Sequence, residues 1–123
     1  MGTLQITDES HRLINKYFEC YPKPERIDIK KYAQKRVYCE WDDSQWDSFN
    51  WIAITESEWN PTAQNPKSTA YGIGQFLNDT WGNYGYTKTD DPYVQIEAMI
   101  DYIQDRYTTP YNAKVFHLAN GHY

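Results

Sequence analysis

The sequence predicts a small, mainly α-helical protein in which a long ordered loop separates the third helix from the last two. The chain has 123 residues, the length of one ordinary domain. Apolar residues recur every three or four positions in several segments, and no segment of useful length alternates apolar and polar residues as a strand does. Residues 58–86 are instead rich in Asn, Pro, Thr, Gly and aromatic residues, a composition typical of loops.

Two helices are predicted before residue 44. The first is capped by Thr7 or Asp8 and ends before Pro22 and Pro24. Its apolar residues form one stripe: Leu13, Ile14, Tyr17 and Phe18. The second helix runs from about residue 28 to residue 38 and has an apolar face opposite a face of Lys and Arg.

The third predicted helix follows Ser44, which forms a weak capping box with Asp47. Steps of three and four residues place four of its side chains on one stripe: Trp46, Phe49, Ala53 and Glu56. Glu56 therefore extends an apolar face, where desolvation raises the pKa of a carboxyl group and suits it to general acid catalysis. The alternative is a Glu that is exposed, or bonded to a neighbouring loop, where the helix ends.

The second half of the chain contains three further predicted helices. A short one lies within the loop, around residues 74–80. Asp91 and Pro92 start the next, whose apolar residues share one face, and Thr108 to Pro110 stop it. That face consists of Ile96, Met99, Ile100, Ile103 and Tyr107. The last helix begins at Pro110 and ends at Asn120-Gly121.

Charge and composition exclude several classes of protein. The net charge of -5 argues against general nucleic-acid binding, and no apolar run is long enough to span a membrane. Residues 1–36 nevertheless hold eight of the twelve Lys and Arg and only five of the seventeen Asp and Glu. This basic segment is either two ordinary solvated helix faces or a docking segment for an acidic partner or an anionic polymer.

Cys20 and Cys39 match no zinc-site spacing, and the three histidines do not complete one. We therefore predict neither a metal nor another cofactor. A disulfide between the two cysteines requires maturation outside a reducing cytosol, so the sequence favours two reduced, half-buried thiols.

Five short motifs, in a fixed order along the chain, resemble those of a known protein family. They are ESEWNP from Glu56, AQNP from Ala63, AYGIGQ from Ala70, YIQDRY from Tyr102 and NGHY from Asn120. In order and spacing they resemble the soluble lytic transglycosylase (SLT) family, in particular its small bacterial and bacteriophage members. The resemblance covers residues 32–123 and implies a lysozyme-like helical domain whose long loop flanks the active-site cleft.

The resemblance implies cleavage of the β-1,4 bond between N-acetylmuramic acid (MurNAc) and N-acetylglucosamine (GlcNAc) in peptidoglycan. Glu56 corresponds to the single catalytic residue, acting first as acid and then as base, so that the muramic acid closes to a 1,6-anhydro product. The motifs and their surroundings give seven predicted substrate contacts: Asn65, Tyr71, Gly72, Gln75, Tyr102, Tyr107 and His117. Gly72 could instead be an ordinary turn glycine, and Tyr107 a core residue. Trp59 is expected to pack and fix the turn after Glu56.

Two other functions remain open at this stage. A hydrolytic lysozyme acting on the same bond needs a second carboxylate such as Asp79, Asp90 or Asp91. A structural virion protein could keep the fold without turnover.

The start of the chain lacks the pattern of a secretory signal, so we expect a virion-associated protein that acts in the host periplasm or cell wall. Release without a signal peptide is the other route. Residues 1–30 are then an extension that docks on other tail or ejection proteins, and residues 31–123 form the domain.

Overall fold

The structure, a computed structural model, describes residues 8–20 and 25–123. These residues form six α-helices: α1 (Asp8–Cys20), α2 (Ile29–Glu40), α3 (Trp46–Ser57), α4 (Asn78–Asn83), α5 (Pro92–Tyr107) and α6 (Pro110–Asn120). Over the same ranges there is no β-strand, so the mainly α-helical prediction is confirmed. No helix in this part of the chain is long and apolar enough to cross a bilayer.

The core forms around α5, which packs against α2 on one side and α6 on the other. The predicted apolar face of α5 is buried as expected: Ile96, Met99, Ile100 and Ile103 are at most 1% exposed. Each such side chain contributes roughly 1.5–3 kcal/mol by leaving water. Phe49 and Ala53 of α3 enter the same core, so the face of α3 that carries Glu56 is packed against it.

The predicted ends of α5 and α6 are confirmed. The Asp91 carboxylate accepts the backbone N–H of Tyr93 at 2.9 Å, and Pro92 occupies the first turn, where its missing N–H costs nothing. Thr109 caps α6 through its hydroxyl oxygen. Gly121 ends α6 at φ +78°, a left-handed conformation that glycine adopts without steric cost.

The predicted capping box at the start of α3 is wrong. Ser44 lies in a single 3-10 turn, Asp43–Gln45, and α3 begins at Trp46 without a side-chain cap. The carboxylate of Asp42 accepts the backbone N–H of Ser44 at 2.9 Å, so it, rather than Ser44, caps this turn. An Asp immediately before a turn competes directly with Ser for the role of cap.

The short loop helix lies four residues later than predicted, at Asn78–Asn83 instead of residues 74–80. Tyr71 and Phe76 exchange backbone hydrogen bonds of 3.1 and 3.2 Å, which closes a tight turn over the intervening residues. Gln75 in that turn has φ +54°, which is incompatible with a right-handed helix. Helical structure therefore starts only after Leu77.

Cys20 and Cys39 form a disulfide, which corrects the expectation of two reduced thiols. Their Cα atoms are 5.7 Å apart because α1 packs along α2. Sequence spacing could not reveal this proximity, since it depends on how two separate helices dock. The disulfide joins the last residue of α1 to the last turn of α2.

Much of the apolar stripe of α1 faces solvent. Leu13, Ile14 and Tyr17 are 59%, 45% and 61% exposed. The side chain of Phe18, the predicted cap Thr7 and the prolines predicted to follow the helix lie outside the described residues. The exposed side chains of α1 therefore form an apolar strip beside the basic residues of the same helix.

Candidate active site

Glu56 lies in the last turn of α3, one residue before the helix ends at Ser57. The stripe predicted for α3 is confirmed, because Phe49 and Ala53 are fully buried and the side chain of Glu56 is only 18% exposed. Burial raises the pKa of Glu56, while a hydrogen bond to His117 and the charge of that ring oppose the rise. A carboxyl group whose pKa is raised in this way retains its proton at a higher pH than an exposed Glu.

The turn after Glu56 is fixed from several directions. Glu58 and Trp59 both adopt positive φ, 52° and 61°, which reverses the chain within two residues. The Trp59 ring is buried and its Nε1–H donates to Asn50 at 2.9 Å, in agreement with the predicted packing role. The hydroxyl of Ser57 donates to the carbonyl oxygen of Ile73 at 2.8 Å and ties this turn to the central loop. The end of α3 is thus held rigidly where Glu56 projects.

His117, from the last turn of α6, is the side chain that contacts Glu56. Its Nε2 lies 2.8 Å from Oε1 of Glu56, and the His side chain is 10% exposed. The edge of the Trp51 ring meets it at right angles, 5.1 Å between centroids, and Tyr123 stacks on it at 6.4 Å. Sequence analysis predicted a sugar contact for His117, and the structure places it directly against the predicted catalytic residue.

Three tyrosines pack together beside this pair. Tyr123 stacks on His117 and its hydroxyl donates to the carbonyl oxygen of Gly74 at 3.0 Å. Tyr102 donates to the backbone oxygen of Tyr123 at 3.0 Å, and burial raises the pKa of Tyr102 to about 12. The hydroxyl of Tyr107 is buried without a hydrogen-bond partner among the described residues.

Gln75 is held by the loop that contains it. Its side-chain Nε2 donates to the carbonyl oxygens of Ala63 and Gly72, at 2.9 and 2.8 Å. Both amide protons are therefore used within the protein, and Oε1 remains as the atom that can accept a hydrogen bond from a substrate. The predicted contact of Gln75 with sugar is chemically feasible only in that direction.

Gln95 of α5 organises the loop, and sequence analysis did not identify it. Its side chain is 1% exposed and makes three hydrogen bonds: Oε1 accepts the N–H of Ile73, and Nε2 donates to the carbonyl oxygens of Pro61 and Thr89. Gln95 precedes Met99 by one helical turn on the buried face of α5. A Gln at such a position is the signal that could have revealed it, because a buried amide needs several partners.

Position 72 requires glycine for two independent reasons. Its φ is +84°, and a Cβ atom there would lie 2.7 Å from the Gln95 carboxamide. We expect Gly72→Ala to lose about 2–4 kcal/mol of unfolding free energy, measured by denaturant titration, because backbone strain adds to displacement of Gln95. Gly82→Ala is the matched control and should be neutral or slightly stabilising, since no atom of the described residues lies within 4 Å of its added Cβ. Equal effects of the two changes would contradict this account of Gly72.

Asn65 and Tyr71 have other described contacts. The Asn65 side chain accepts the backbone N–H of Lys67 at 2.8 Å in an exposed part of the loop. The Tyr71 hydroxyl donates to Asp90, and the Lys88 ammonium lies 4.8 Å from the Tyr71 ring centre. The hydrogen bonds and ring contacts described for Asn65 and Tyr71 connect parts of the loop and do not involve Glu56 or His117. Their predicted contacts with substrate stay predictions.

Two surface cavities lie near Tyr102 and Tyr123, and neither lining includes Glu56 or His117. Tyr123 lines a small cavity of about 80 Å³ together with Gly74 and Gln75. Thr80 and Tyr102 line this cavity and also a larger groove of about 760 Å³ along α4 and α5. The walls of the larger groove are mostly polar: Thr80, Asn83, Tyr84, Asp101, Tyr102, Gln104, Asp105 and Arg106. Trp81 of α4 is 3% exposed and belongs to the core, so its ring is not part of the groove wall.

Comparison with known proteins assigns this arrangement to a family. The Transglycosylase SLT domain family model matches residues 38–120, a range that includes Glu56, the central loop and His117. Comparisons with the curated proteins and with the solved structures each found no match. The family match supports a peptidoglycan lytic transglycosylase-like function with a lysozyme-like helical fold. The chain therefore belongs to the Transglycosylase SLT domain family.

Proposed function

We propose that this protein cleaves the MurNAc-β-1,4-GlcNAc bond of peptidoglycan and releases fragments that end in 1,6-anhydro-MurNAc. The observation that carries the proposal is the environment of Glu56, a mostly buried carboxyl group with a raised pKa. It lies at the end of a helix that the surrounding turns hold in place, and Tyr123, which stacks on His117, lines a small cavity close to the pair. Such a carboxyl keeps its proton to a higher pH than an exposed Glu does, so it can donate that proton as an acid and then recover it.

In the proposed reaction Glu56 acts twice. Protonated Glu56 gives its proton to the glycosidic oxygen as the bond from that oxygen to C1 of the muramic acid breaks. The positive charge that develops at C1 is stabilised by the acetamido group of the same sugar. The 6-hydroxyl then attacks C1 and its proton goes to the Glu56 carboxylate, which restores the enzyme. No water is consumed, and one carboxylate suffices because the substrate supplies the second functional group.

Two of the three carboxylates suggested for a hydrolytic lysozyme, Asp90 and Asp91, are engaged in other contacts in this fold. Asp91 caps α5 and pairs with Arg26 at 2.8 Å. Asp90 accepts the hydroxyl of Tyr71, and Asp79 lies exposed in the first turn of α4. These contacts favour the transglycosylase reaction over hydrolysis, in which a second carboxylate must activate a water molecule opposite the acid.

Mass spectrometry of the fragments released from purified peptidoglycan tests the proposal. Transglycosylase products end in anhydro-muramic acid and are lighter by one water than the corresponding hydrolysis products. We expect anhydro ends from the wild-type protein and none from Glu56→Gln. Reducing muramic ends would identify a lysozyme. An absence of any fragments from the wild-type protein would favour a structural role without turnover.

We also propose that the protein acts outside the cytoplasm, as a virion component that reaches the host periplasm and cell wall. The Cys20–Cys39 disulfide supports an oxidising location, and peptidoglycan itself lies outside the cytoplasm. The exposed apolar strip and basic residues of α1 suit it to attachment to other tail or ejection proteins. Proteomics of purified particles is the test: the protein should copurify with them, and its presence only in the free periplasm would contradict the proposal.

A further inference from the structure

The hydrogen bond between His117 and Glu56 joins side chains that are 61 positions apart in the sequence. α3 and α6 pack against each other, and each presents one of the two residues near its C-terminal end. With exposed fractions of 10% and 18%, the two side chains are largely shielded from water. A hydrogen bond in such a site is stronger and better oriented than one at the surface.

Neighbouring aromatic rings hold the His117 imidazole in place. Trp51 meets it edge-on and Tyr123 stacks over it, with 29° between the two ring planes. The Lys114 ammonium lies 5.4 Å from the centre of the Trp51 ring and makes a cation–π contact with it. Rotation of the imidazole out of its plane would disturb both ring contacts, and the hydrogen bond to Glu56 fixes Nε2 as the atom that faces the carboxyl group.

The two oxygens of the Glu56 carboxyl group are not equivalent. His117 occupies Oε1, whereas Oε2 has no hydrogen bond to any described residue. If Nε2 of His117 carries a hydrogen and donates it to Oε1, the proton of a neutral Glu56 must reside on Oε2. That oxygen is the one left to meet the glycosidic oxygen of a substrate.

We propose that His117 is a positioning residue for Glu56: by donating its Nε2–H to Oε1, it keeps the proton that is transferred in catalysis on Oε2. This inference rests on the proposed function, since it assigns a role in the same reaction. It replaces the direct sugar contact that sequence analysis predicted for His117. The imidazole acts through Glu56 and does not itself touch the reacting atoms.

The titratable and charged groups around Glu56 and His117 determine in which direction the pKa of Glu56 shifts when His117 is lost. They are Tyr102 and Tyr107 of α5, Lys114 of α6, and His122 and Tyr123 after α6. Burial raises the pKa of Glu56, and His117, with a smaller contribution from His122, lowers it. Loss of His117 therefore leaves the effect of burial less opposed and raises the pKa of Glu56. Because the acid works in its protonated form, the alkaline fall in kcat should move to higher pH.

Nitrogen NMR of the wild-type protein tests the tautomer directly and requires no variant. At a pH where the imidazole is neutral, the proposal predicts that the hydrogen of His117 resides on Nε2. A hydrogen on Nδ1 would overturn it, because Nε2 would then accept from Glu56 and draw the acid proton to Oε1.

Two substitutions of His117 separate positioning from sugar binding. We expect His117→Phe, which keeps a ring but has no hydrogen-bond donor, to lower kcat about 10- to 100-fold with little change in KM. The fall of kcat at alkaline pH should move to higher pH in this variant. His117→Gln, whose amide N–H can still donate, should keep kcat within about fivefold of wild type. A raised KM with unchanged kcat in both variants would assign His117 to substrate binding and overturn the proposal. An alkaline fall in kcat at the same pH in His117→Phe as in the wild type would also overturn it.

His122→Gln is the matched control, since it removes a nearby histidine that makes no hydrogen bond to Glu56 in the structure. Its kcat and KM should stay close to wild type. Carbon NMR of the Glu56 carboxyl group in the substrate-free protein measures its titration in each variant, including any that turns over too slowly for kinetics. An upward shift of the Glu56 pKa in His117→Phe supports the positioning role even if the released fragments prove to be hydrolysis products. An unshifted Glu56 pKa refutes that role even if anhydro products are found.

Discussion

Glu56→Gln is expected to lower turnover of peptidoglycan by roughly a hundred- to ten-thousandfold while the protein stays folded. The amide has nearly the shape of the acid and can still bond to His117, but it cannot give or take the proton that bond cleavage requires. Since substrate binding uses other groups, KM should change little. Initial rates of glycan release, together with a circular-dichroism spectrum of the variant, measure both parts of this expectation.

Glu58→Gln is the matched control for this loss. It is the same substitution two residues further on, at an exposed position where the chain turns. Activity should stay within about twofold of wild type, because a surface carboxylate contributes little to the pKa of a buried neighbour. Retained activity in Glu56→Gln, or comparable losses in the two variants, would show that Glu56 is not the acid.

Gln95→Leu should be the most destabilising single substitution discussed for this fold. Leucine fills a similar volume but leaves the N–H of Ile73 and the carbonyl oxygens of Pro61 and Thr89 without their buried partner. Each orphaned group costs about 1–3 kcal/mol, so we expect a total loss of about 3–5 kcal/mol. That is a large part of the roughly 5–15 kcal/mol by which a domain is stable. Thermal unfolding should show Tm lower by roughly 10–20 °C.

The corresponding control is Gln104→Leu, on an exposed position of the same helix. Its unfolding free energy should change by less than about 0.5 kcal/mol. If Gln95→Leu were as mild as this control, the loop from Pro61 to Ile73 would be held by other contacts. The close approach of Gln95 would then contribute little to the cost of Gly72→Ala, and only the strain of a positive φ at position 72 would remain.

Local patterns were enough to predict the ends of α5 and α6 and the burial of Glu56. The ends of α5 and α6 follow from Asp91-Pro92 and Asn120-Gly121, whose effects on the backbone depend only on adjacent residues. The inward orientation of Glu56 follows from its spacing to Phe49 and Ala53 on one helix. The five motifs indicated the family before any coordinates, and the match over residues 38–120 shows it.

The contacts that complete the site depend on docking between distant elements and leave no local signal. His117 meets Glu56 only because α6 packs across α3, and Cys20 meets Cys39 only because α1 lies along α2. α4 was misplaced for a related reason. Backbone pairing of Tyr71 with Phe76 overrides the helical tendency of the residues between them, and no propensity scale anticipates such a turn.

Digestion of peptidoglycan in heavy-oxygen water tests most directly the central claim that Glu56 passes a proton between two groups of the substrate and activates no water. Each cleavage by a hydrolase places one oxygen from solvent on the new muramic end. The mechanism proposed here forms that end from the sugar's own 6-hydroxyl, so mass spectrometry should find no heavy oxygen in the anhydro fragments. Heavy oxygen incorporated at each new end during cleavage would contradict the account and make this protein a lysozyme.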